Sequence, residues 1–249
     1  MVDLSNYKVF ILTAGLGTRL GNLGKNLPKV MLPIGGKPLL ENIINLLRSQ
    51  GFKNFVFNIH YFPEKITDYF GNGEKLGVSI EYSDESKKLL ETAGAIKKAE
   101  NLLTEDFVLI YGDQVFSLDI RPLIELHKNR KALATVVLKR SDEPQNGDLA
   151  EIDFKTLKIV GWHQRPHDFK NFAKNTFLNA GIYVLSKKII EFIPEGKSRL
   201  DIDIFPGLVK NGEAVYGFPT DEKILDIGTP EKYEYAQKWY EEQKSIISR

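Results

Sequence analysis

Two features of the chain could do phosphate chemistry. The first is the loop Leu12-Thr13-Ala14-Gly15-Leu16-Gly17-Thr18-Arg19-Leu20, which follows an apolar run. Glycines at such a place let backbone N–H groups approach an anion, because no β-carbon obstructs the approach and positive φ is permitted. Arg19 lies inside the loop, and Lys29 follows Pro28, whose ring stiffens the backbone before it. Two fixed cations beside one glycine loop suit a triphosphate: at about 4 Å and an effective dielectric near 20, one unit charge pair is worth roughly 4 kcal/mol before desolvation. The second feature is a pair of acids distant in sequence. Asp113 stands beyond the apolar run Phe107–Tyr111, and Asp226 follows Lys223–Leu225, so both carboxylates could meet at one sheet edge. Alone, either reads as a turn or capping residue; together they offer the hard oxygen donors that Mg²⁺ takes alongside water and substrate phosphates.

Several alternatives are excluded by the same residues. The loop lacks the G-x-x-x-x-G-K-[ST] of a Walker A motif, and Leu20 stands where the dinucleotide fingerprint needs its third glycine. The chain contains no cysteine, which removes disulfides, thiolate metal sites and a cysteine nucleophile. Its four histidines, His60, His127, His163 and His167, show no recognisable nucleophile or metal spacing.

Gly15-x-Gly17-Thr18-Arg19-Leu20 followed by Pro28-Lys29 resembles the signature of the sugar 1-phosphate nucleotidylyltransferases, and the likeness continues along nearly the whole chain. Pro33–Pro38 resembles the segment before that family's first long helix, and Glu91-Thr92-Ala93-Gly94 its base-binding turn. Gly112-Asp113 resembles its first metal carboxylate, Asn179–Tyr183 its sugar-binding strand, and Asp226–Pro230 its second metal site. The resemblance implies Mg²⁺-dependent transfer of a nucleotidyl group from a nucleoside triphosphate to a sugar 1-phosphate, with release of pyrophosphate. Arg19, Lys29, Asp113 and Asp226 would be catalytic, with Asp113 and Asp226 on the metal. Leu12, Ala14, Gly15, Gly17, Thr18, Arg19, Thr92, Ala93 and Gly94 would bind the nucleotide, the base being met by backbone groups. Gly147, Gln164, Arg165 and Asn179 would bind the sugar phosphate. Gln164-Arg165-Pro166 departs from the family's usual Glu-Lys-Pro: glutamine keeps an acceptor and loses the charge, and arginine offers a planar fork for the phosphate.

A sugar phosphate is already an oxyanion near neutral pH, so it can attack the α-phosphorus in line without a general base. Guanylyl transfer to mannose or heptose 1-phosphate is the favoured expectation. The alternatives are uridylyl transfer to an amino-sugar 1-phosphate, cytidylyl transfer to a phosphorylated alcohol such as phosphocholine, and a silent nucleotide-sugar sensor. The two loop cations are expected to be exposed without ligand, so that their removal leaves stability unchanged.

The elements that must position these residues alternate. Lys8–Leu12, Asn54–Ile59, Val78–Tyr82, Phe107–Tyr111 and Ala132–Lys139 read as strands. Pro38–Gln50, Pro63–Phe70, a helix capped by Thr92 and running to Leu103, and Arg121–Lys128 read as helices. Further strands fall near 149–153, 157–162, 178–185, 214–218 and 223–226, with helices near 186–192 and 201–210. Thr229-Pro230 opens a last helix to about residue 244. The fold class is α/β: a doubly wound, mostly parallel, Rossmann-like sheet whose ligand crevice lies beyond the carboxyl ends of its strands, with a mixed C-terminal sugar-binding half. One domain over 1–249 is expected, with residues 1–130 serving the nucleotide and 131–249 the sugar.

With 42% hydrophobic and 27% charged residues the chain can bury a sizeable core, and a net charge of +1 gives no bulk attraction to nucleic acid. No apolar run is long enough to span a bilayer, and residues 1–7 lack a signal-peptide pattern. A cytoplasmic location without membrane or nucleic-acid partners is expected, and a homodimer is compatible with the sequence.

Overall fold

The computed structural model of the chain describes residues 3–140, 143–167 and 173–247. The first half alternates as expected. Strand β1 (Lys8–Leu12) leads through the glycine loop to a small hairpin of β2 (Pro33–Ile34) and β3 (Lys37–Pro38), then to helix α1 (Leu39–Gln50). Strand β4 (Asn54–Ile59), helix α2 (Pro63–Phe70), strand β5 (Ser79–Asp84), helix α3 (Glu91–Lys98) and strand β6 (Asp106–Tyr111) follow. After a short strand β7 (Gln114–Phe116) come α4 (Arg121–Arg130) and β8 (Ala134–Lys139). The second half contains β9 (Leu149–Ile152), β10 (Ile159–His163), β11 (Thr176–Ser186), α5 (Phe205–Lys210), β12 (Val215–Thr220), β13 (Ile224–Asp226) and α6 (Pro230–Ile247).

Among the described residues, nine strands form one mixed sheet that runs through both halves. β6, β1, β4 and β5 lie side by side and parallel, with Leu12 level with Tyr111 on one side and Asn58 on the other. β11 is antiparallel to β6, β8 and β9, and β12 adds to β8 in parallel. Helices cover both faces, so β1 is apolar without alternation: Val9 and Ile11 enter one buried cluster and Phe10 the other, all fully buried. Among the described residues, no helix is long and apolar enough to cross a membrane.

Helix α1 buries Leu39, Leu40, Ile43, Ile44 and Leu47, and Gly51, at φ +111°, closes it by donating to the carbonyls of Leu47 and Arg48. At α6 the cap is as expected, the Thr229 hydroxyl accepting from the Lys232 N–H at 3.4 Å.

Helix α3 differs. Thr92 does not cap it but lies in its first turn, where its hydroxyl accepts the Leu200 N–H at 2.9 Å. The helix ends at Lys98, and a separate 3-10 turn spans Glu100–Leu102. A long-range contact to Leu200 claimed the side chain that local pattern assigned to a cap. The expected helix near 201–210 is also composite, a π-helical turn at Leu200–Ile204 running into α5.

Candidate active site

The glycine loop is fixed at its start. The Thr13 N–H donates to Asn58 Oδ1 at 2.7 Å, and its hydroxyl donates to the Asn58 carbonyl. Asn58 in turn donates to Glu85 at 2.9 Å, and the other oxygen of Glu85 accepts the Leu90 N–H at 2.9 Å. Burial pushes the Glu85 carboxyl upward, and those donors only partly oppose it. This buried relay ties the ends of β1 and β4 to the segment that opens α3. Gly17 then takes φ +62°, a left-handed turn that starts a short 3-10 stretch at Thr18.

Two backbone pairings bring the acids together. Gly112 donates to the Leu12 carbonyl at 3.0 Å, so Asp113 emerges beside the loop after β1. β13 pairs antiparallel with β7, matching Asp226 to Gln114, and Ile227 donates to the Asp113 carbonyl at 3.0 Å. Lys29 Nζ donates to Asp113 Oδ2 at 2.5 Å, and Lys232 Nζ to Asp226 Oδ2 at 2.7 Å. Burial works against charge at Asp226, but Lys232, the Gly228 N–H at 3.0 Å and the nearby Lys29 outweigh it and hold the carboxyl below the usual range. A β-carbon at Gly228 would lie 2.7 Å from Asp226 Oδ1 and 3.4 Å from Arg19 Nη2, so the guanidinium and this carboxylate flank one glycine.

The result is a cleft of about 370 Å³ lined by Leu12, Ala14, Gly15, Gly17, Thr18, Arg19, Lys29, Thr92 and Asp113, with Thr13, Asn58, Leu89, Glu91, Tyr111 and Gly228 beside them. Arg19 is exposed, as expected. Lys29 is not: only 9% of it is exposed, which corrects the expectation of two solvated cations. Its stem packs beneath the loop, 3.6 Å from where a β-carbon of Gly17 would sit, and its ammonium serves Asp113.

Ala93 and Gly94 are corrected as well. Both are buried behind the cleft wall, and both donate their N–H to the Ser198 carbonyl, at 2.9 and 3.2 Å, so neither N–H is left for a base. The cleft is lined there by Leu89, Glu91 and Thr92, and the Glu91 backbone sits at φ +61°. That conformation costs a non-glycine residue about 1–2 kcal/mol. The Lys197 ammonium lies 3.1 Å from Glu91 Oε1 in a pair open to solvent. Such a pair contributes about 0–1 kcal/mol, and an acid in a helix's first turn roughly 0.3–1. These gains do no more than offset the strain.

The four expected sugar-phosphate residues gather elsewhere, around two buried acids that the sequence reading missed. Asp148 is 5% exposed and Asp201 6%. Arg165 donates its N–H to Asp148 Oδ1 at 2.9 Å and Nη1 to the Asn146 carbonyl at 2.9 Å. Gln164 Nε2 donates to the Ile202 carbonyl at 2.5 Å, and Asn179 donates its N–H to the Asp148 carbonyl at 2.9 Å. The half-buried Asn179 side chain donates one N–H to the Tyr183 hydroxyl at 2.8 Å and accepts the Gly181 N–H at 3.1 Å, which uses half of the amide's hydrogen-bonding capacity. These two bonds hold the bulge in β11, where Gly181 sits at φ +72°. At Gly147 packing requires glycine, since a β-carbon there would lie 2.5 Å from Leu178 Cδ1. Tyr111 lines the cleft and its ring lies 5.7 Å from that of Tyr183, the partner of Asn179, so it adjoins both groups of residues.

Burial, and then the neighbouring Asp201, push the Asp148 carboxyl up, with Arg165 opposing. The folded chain therefore holds more protons than the unfolded chain as pH climbs from the ordinary Asp range to that raised value. Stability is lost across this window and stays lost above it. Asp148→Asn is expected to melt above the wild type at pH 7, by about 2–4 °C for each kcal/mol relieved, and to lose that margin near pH 4. Thermal unfolding at both pH values checks this; an equal margin at both would mean that Asp148 carries no such burden.

Comparison with known proteins identifies relatives of the chain. A protein-family model described as nucleotidyl transferase matches residues 8–243. The heptose 1-phosphate guanylyltransferase of Aneurinibacillus thermoaerophilus is 35% identical over 235 residues, covering 93% of this chain and 97% of that protein. The UTP–glucose-1-phosphate uridylyltransferase of a Synechocystis strain is 33% identical over 239 residues, but the chain spans only 61% of its length. It likewise spans 61% of the mannose-1-phosphate guanylyltransferase of Mycobacterium tuberculosis, at 29% identity. HddC from Yersinia pseudotuberculosis, solved also in complex with GMP-PN, superposes with a TM-score of 0.79 at 29% identity, covering 94% of this chain and 99% of that one.

Proposed function

The chain belongs to the nucleotidyl transferase family, and from that premise we propose that it transfers a guanylyl group from GTP to mannose or heptose 1-phosphate, with Mg²⁺, yielding a GDP-sugar and pyrophosphate. The observation that carries this reading is the convergence of Arg19, Lys29 and Asp113 on one cleft, with Asp226 joined to it through Gly228. A phosphate oxygen of the sugar phosphate attacks the α-phosphorus, the bond between the α- and β-phosphates breaks, and pyrophosphate leaves with the negative charge. The glycine loop orients the triphosphate, and Arg19 and Lys29 stabilise charge as it redistributes. Arg165, half-exposed at the edge of its cluster, is the chain's candidate for the acceptor phosphate.

Asp113 and Asp226 would hold the metal. The donor set fits Mg²⁺, since two carboxylates, one at the end of β13 and one just before its partner strand β7, leave the remaining positions to water and phosphates. Among the described residues, no three His, Asp or Glu side chains converge as a complete protein cage. When bound, the ion would supply charge neutralisation on the reacting phosphates. Lys29 and Lys232, which now pair with the two carboxylates, would then be free to turn to substrate oxygens.

Guanine is preferred because two curated relatives that the chain spans almost end to end are named as guanylyltransferases and one solved neighbour was crystallised with GMP-PN. Another solved neighbour, titled a putative glucose-1-phosphate thymidylyltransferase from Bacillus anthracis, makes dTTP the competing nucleotide. The test is a matrix of GTP, UTP, CTP and dTTP against mannose, heptose and N-acetylglucosamine 1-phosphates and phosphocholine, read by pyrophosphate release with and without chelator. GTP with a manno-configured acceptor is expected to give the highest kcat/KM, and chelator to abolish it. Dominance of UTP with the amino sugar would move the assignment, and binding without turnover in every cell would make the chain a sensor.

A further inference from the structure

We propose that Glu91 reads the nucleobase, its carboxylate accepting from the N1–H and the 2-amino group of guanine. The inference rests on the nucleotidyl-transfer reading above and names the residue that would decide the base. Three observations carry it. The first is backbone strain at a place where the framework dictates conformation: Ala93 and Gly94 donate to the Ser198 carbonyl, Ser198 donates to the Leu90 carbonyl at 3.1 Å, and Leu200 donates to Thr92. Residue 91 is laced in on both sides, and its φ of +61° is one that glycine takes without cost. The second is that the side chain gains no net stability there, because its solvent-open pair with Lys197 and its first-turn position do no more than offset the strain. The third is position: Glu91 is among the residues that line the cleft.

The ligand is identified by position and by donors. In the sheet order β6-β1-β4-β5, Asp113 follows β6 and the cationic loop follows β1, whereas Leu89 and Glu91 come from the segment after β5. A triphosphate held by Arg19 and Lys29 presents its nucleoside to that other wall. An ionised carboxylate only accepts hydrogen bonds. Guanine is the base with two adjacent donors on one edge. Uracil flanks its single N–H with two carbonyls, and cytosine and adenine place a ring acceptor beside their amino group, so each would set lone pairs against the carboxylate. Lys197 pairs with Oε1, and among the described residues no hydrogen bond engages the other oxygen. The ribose hydroxyls are the other donors in reach, and the experiment separates them.

Wild type, Glu91→Gly and Glu91→Gln are compared with GTP, ITP, 2′-deoxyGTP and UTP by steady-state kinetics and by calorimetric binding with Mg²⁺ present. ITP lacks the 2-amino group; 2′-deoxyGTP lacks one ribose donor. The wild type is expected to favour GTP over ITP by about 10- to 100-fold, the effect of one hydrogen bond to a charged group. Both variants should bring that ratio to within about threefold of unity, raising KM for GTP while kcat at saturation changes little. The ratio of GTP to 2′-deoxyGTP should stay the same in all three proteins. An unchanged GTP-to-ITP preference in the variants, a shift confined to 2′-deoxyGTP, or a wild type that prefers UTP would each overturn the proposal. The backbone already suits glycine at 91, so misfolding does not cloud that variant. If the wild type turns over no triphosphate, the transfer reading fails, and the binding arm still reports on Glu91.

Discussion

Replacing Asp226 by asparagine is expected to lower kcat by about 10²–10³-fold, a loss of roughly 3–4 kcal/mol of transition-state stabilisation, while leaving a folded protein. The pairing of β13 with β7 holds the residue beside Asp113, and asparagine keeps an oxygen for the Gly228 N–H. What is lost is charge on a proposed metal ligand, so the Mg²⁺ concentration for half-maximal rate should rise together with the fall in kcat. The sign of the stability change follows from the depressed Asp226 carboxyl, where burial is outweighed by Lys232, Gly228 and Lys29. That stabilisation is present above the unfolded Asp value and disappears as pH falls through the lower folded value. The variant should therefore melt a few degrees below the wild type at pH 7, and the two should converge in strong acid. Asp113→Asn should lose turnover to the same extent and fold less well, because it strips the partner from a largely buried lysine. Wild-type turnover by folded Asp226→Asn, or full activity in excess chelator, would remove the metal assignment.

The parallel core was legible because its strands are continuous apolar runs ended by glycine or polar loops, and Lys8–Leu12 and Asn54–Ile59 have the bounds that the runs indicate. The phosphate loop was legible for a related reason: glycines and cations at fixed short spacing express one local geometry. What could not be read was chemistry decided by partners distant in sequence. Thr92 has the composition of a cap, yet Leu200, 108 residues away, claims its hydroxyl. Ala93 and Gly94 look like open backbone donors, yet Ser198 takes both. Asp148 and Asp201 sit in no motif, and only the fold makes them neighbours. Glu91 did leave a signal, an acidic side chain next to the Thr-Ala-Gly turn, but nothing in a sequence announces φ +61° or the pairing with Lys197.

Arg19→Ala is expected to cost about 10²-fold or more in kcat/KM with no change in melting temperature, and the contrast with Lys29 makes the result informative. The Arg19 side chain is exposed and flanks Gly228 at the cleft, and an exposed cation in an unliganded loop contributes little to folding. Its worth should appear only when phosphates fill the cleft. Lys29 serves two masters. Its ammonium, 2.5 Å from Asp113 Oδ2, neutralises a carboxylate, and its stem fills space under Gly17. Lys29→Ala should therefore lose at least as much turnover and also several degrees of melting temperature, since removing one partner strands the other. A third of the Asp113 side chain still meets water, which keeps that loss below the cost of a fully buried broken pair. Lys53→Ala, at an exposed position remote from the cleft lining, should change neither quantity. Kinetics and thermal unfolding on the three variants give the pattern: turnover alone for Arg19, both for Lys29, neither for Lys53. If Arg19→Ala turns over at the wild-type rate, the guanidinium does not meet the triphosphate and the phosphate path must run elsewhere along the cleft. If Lys29→Ala keeps full activity while melting early, the lysine is a structural counterion to Asp113, and the loop cation of catalysis is Arg19 alone.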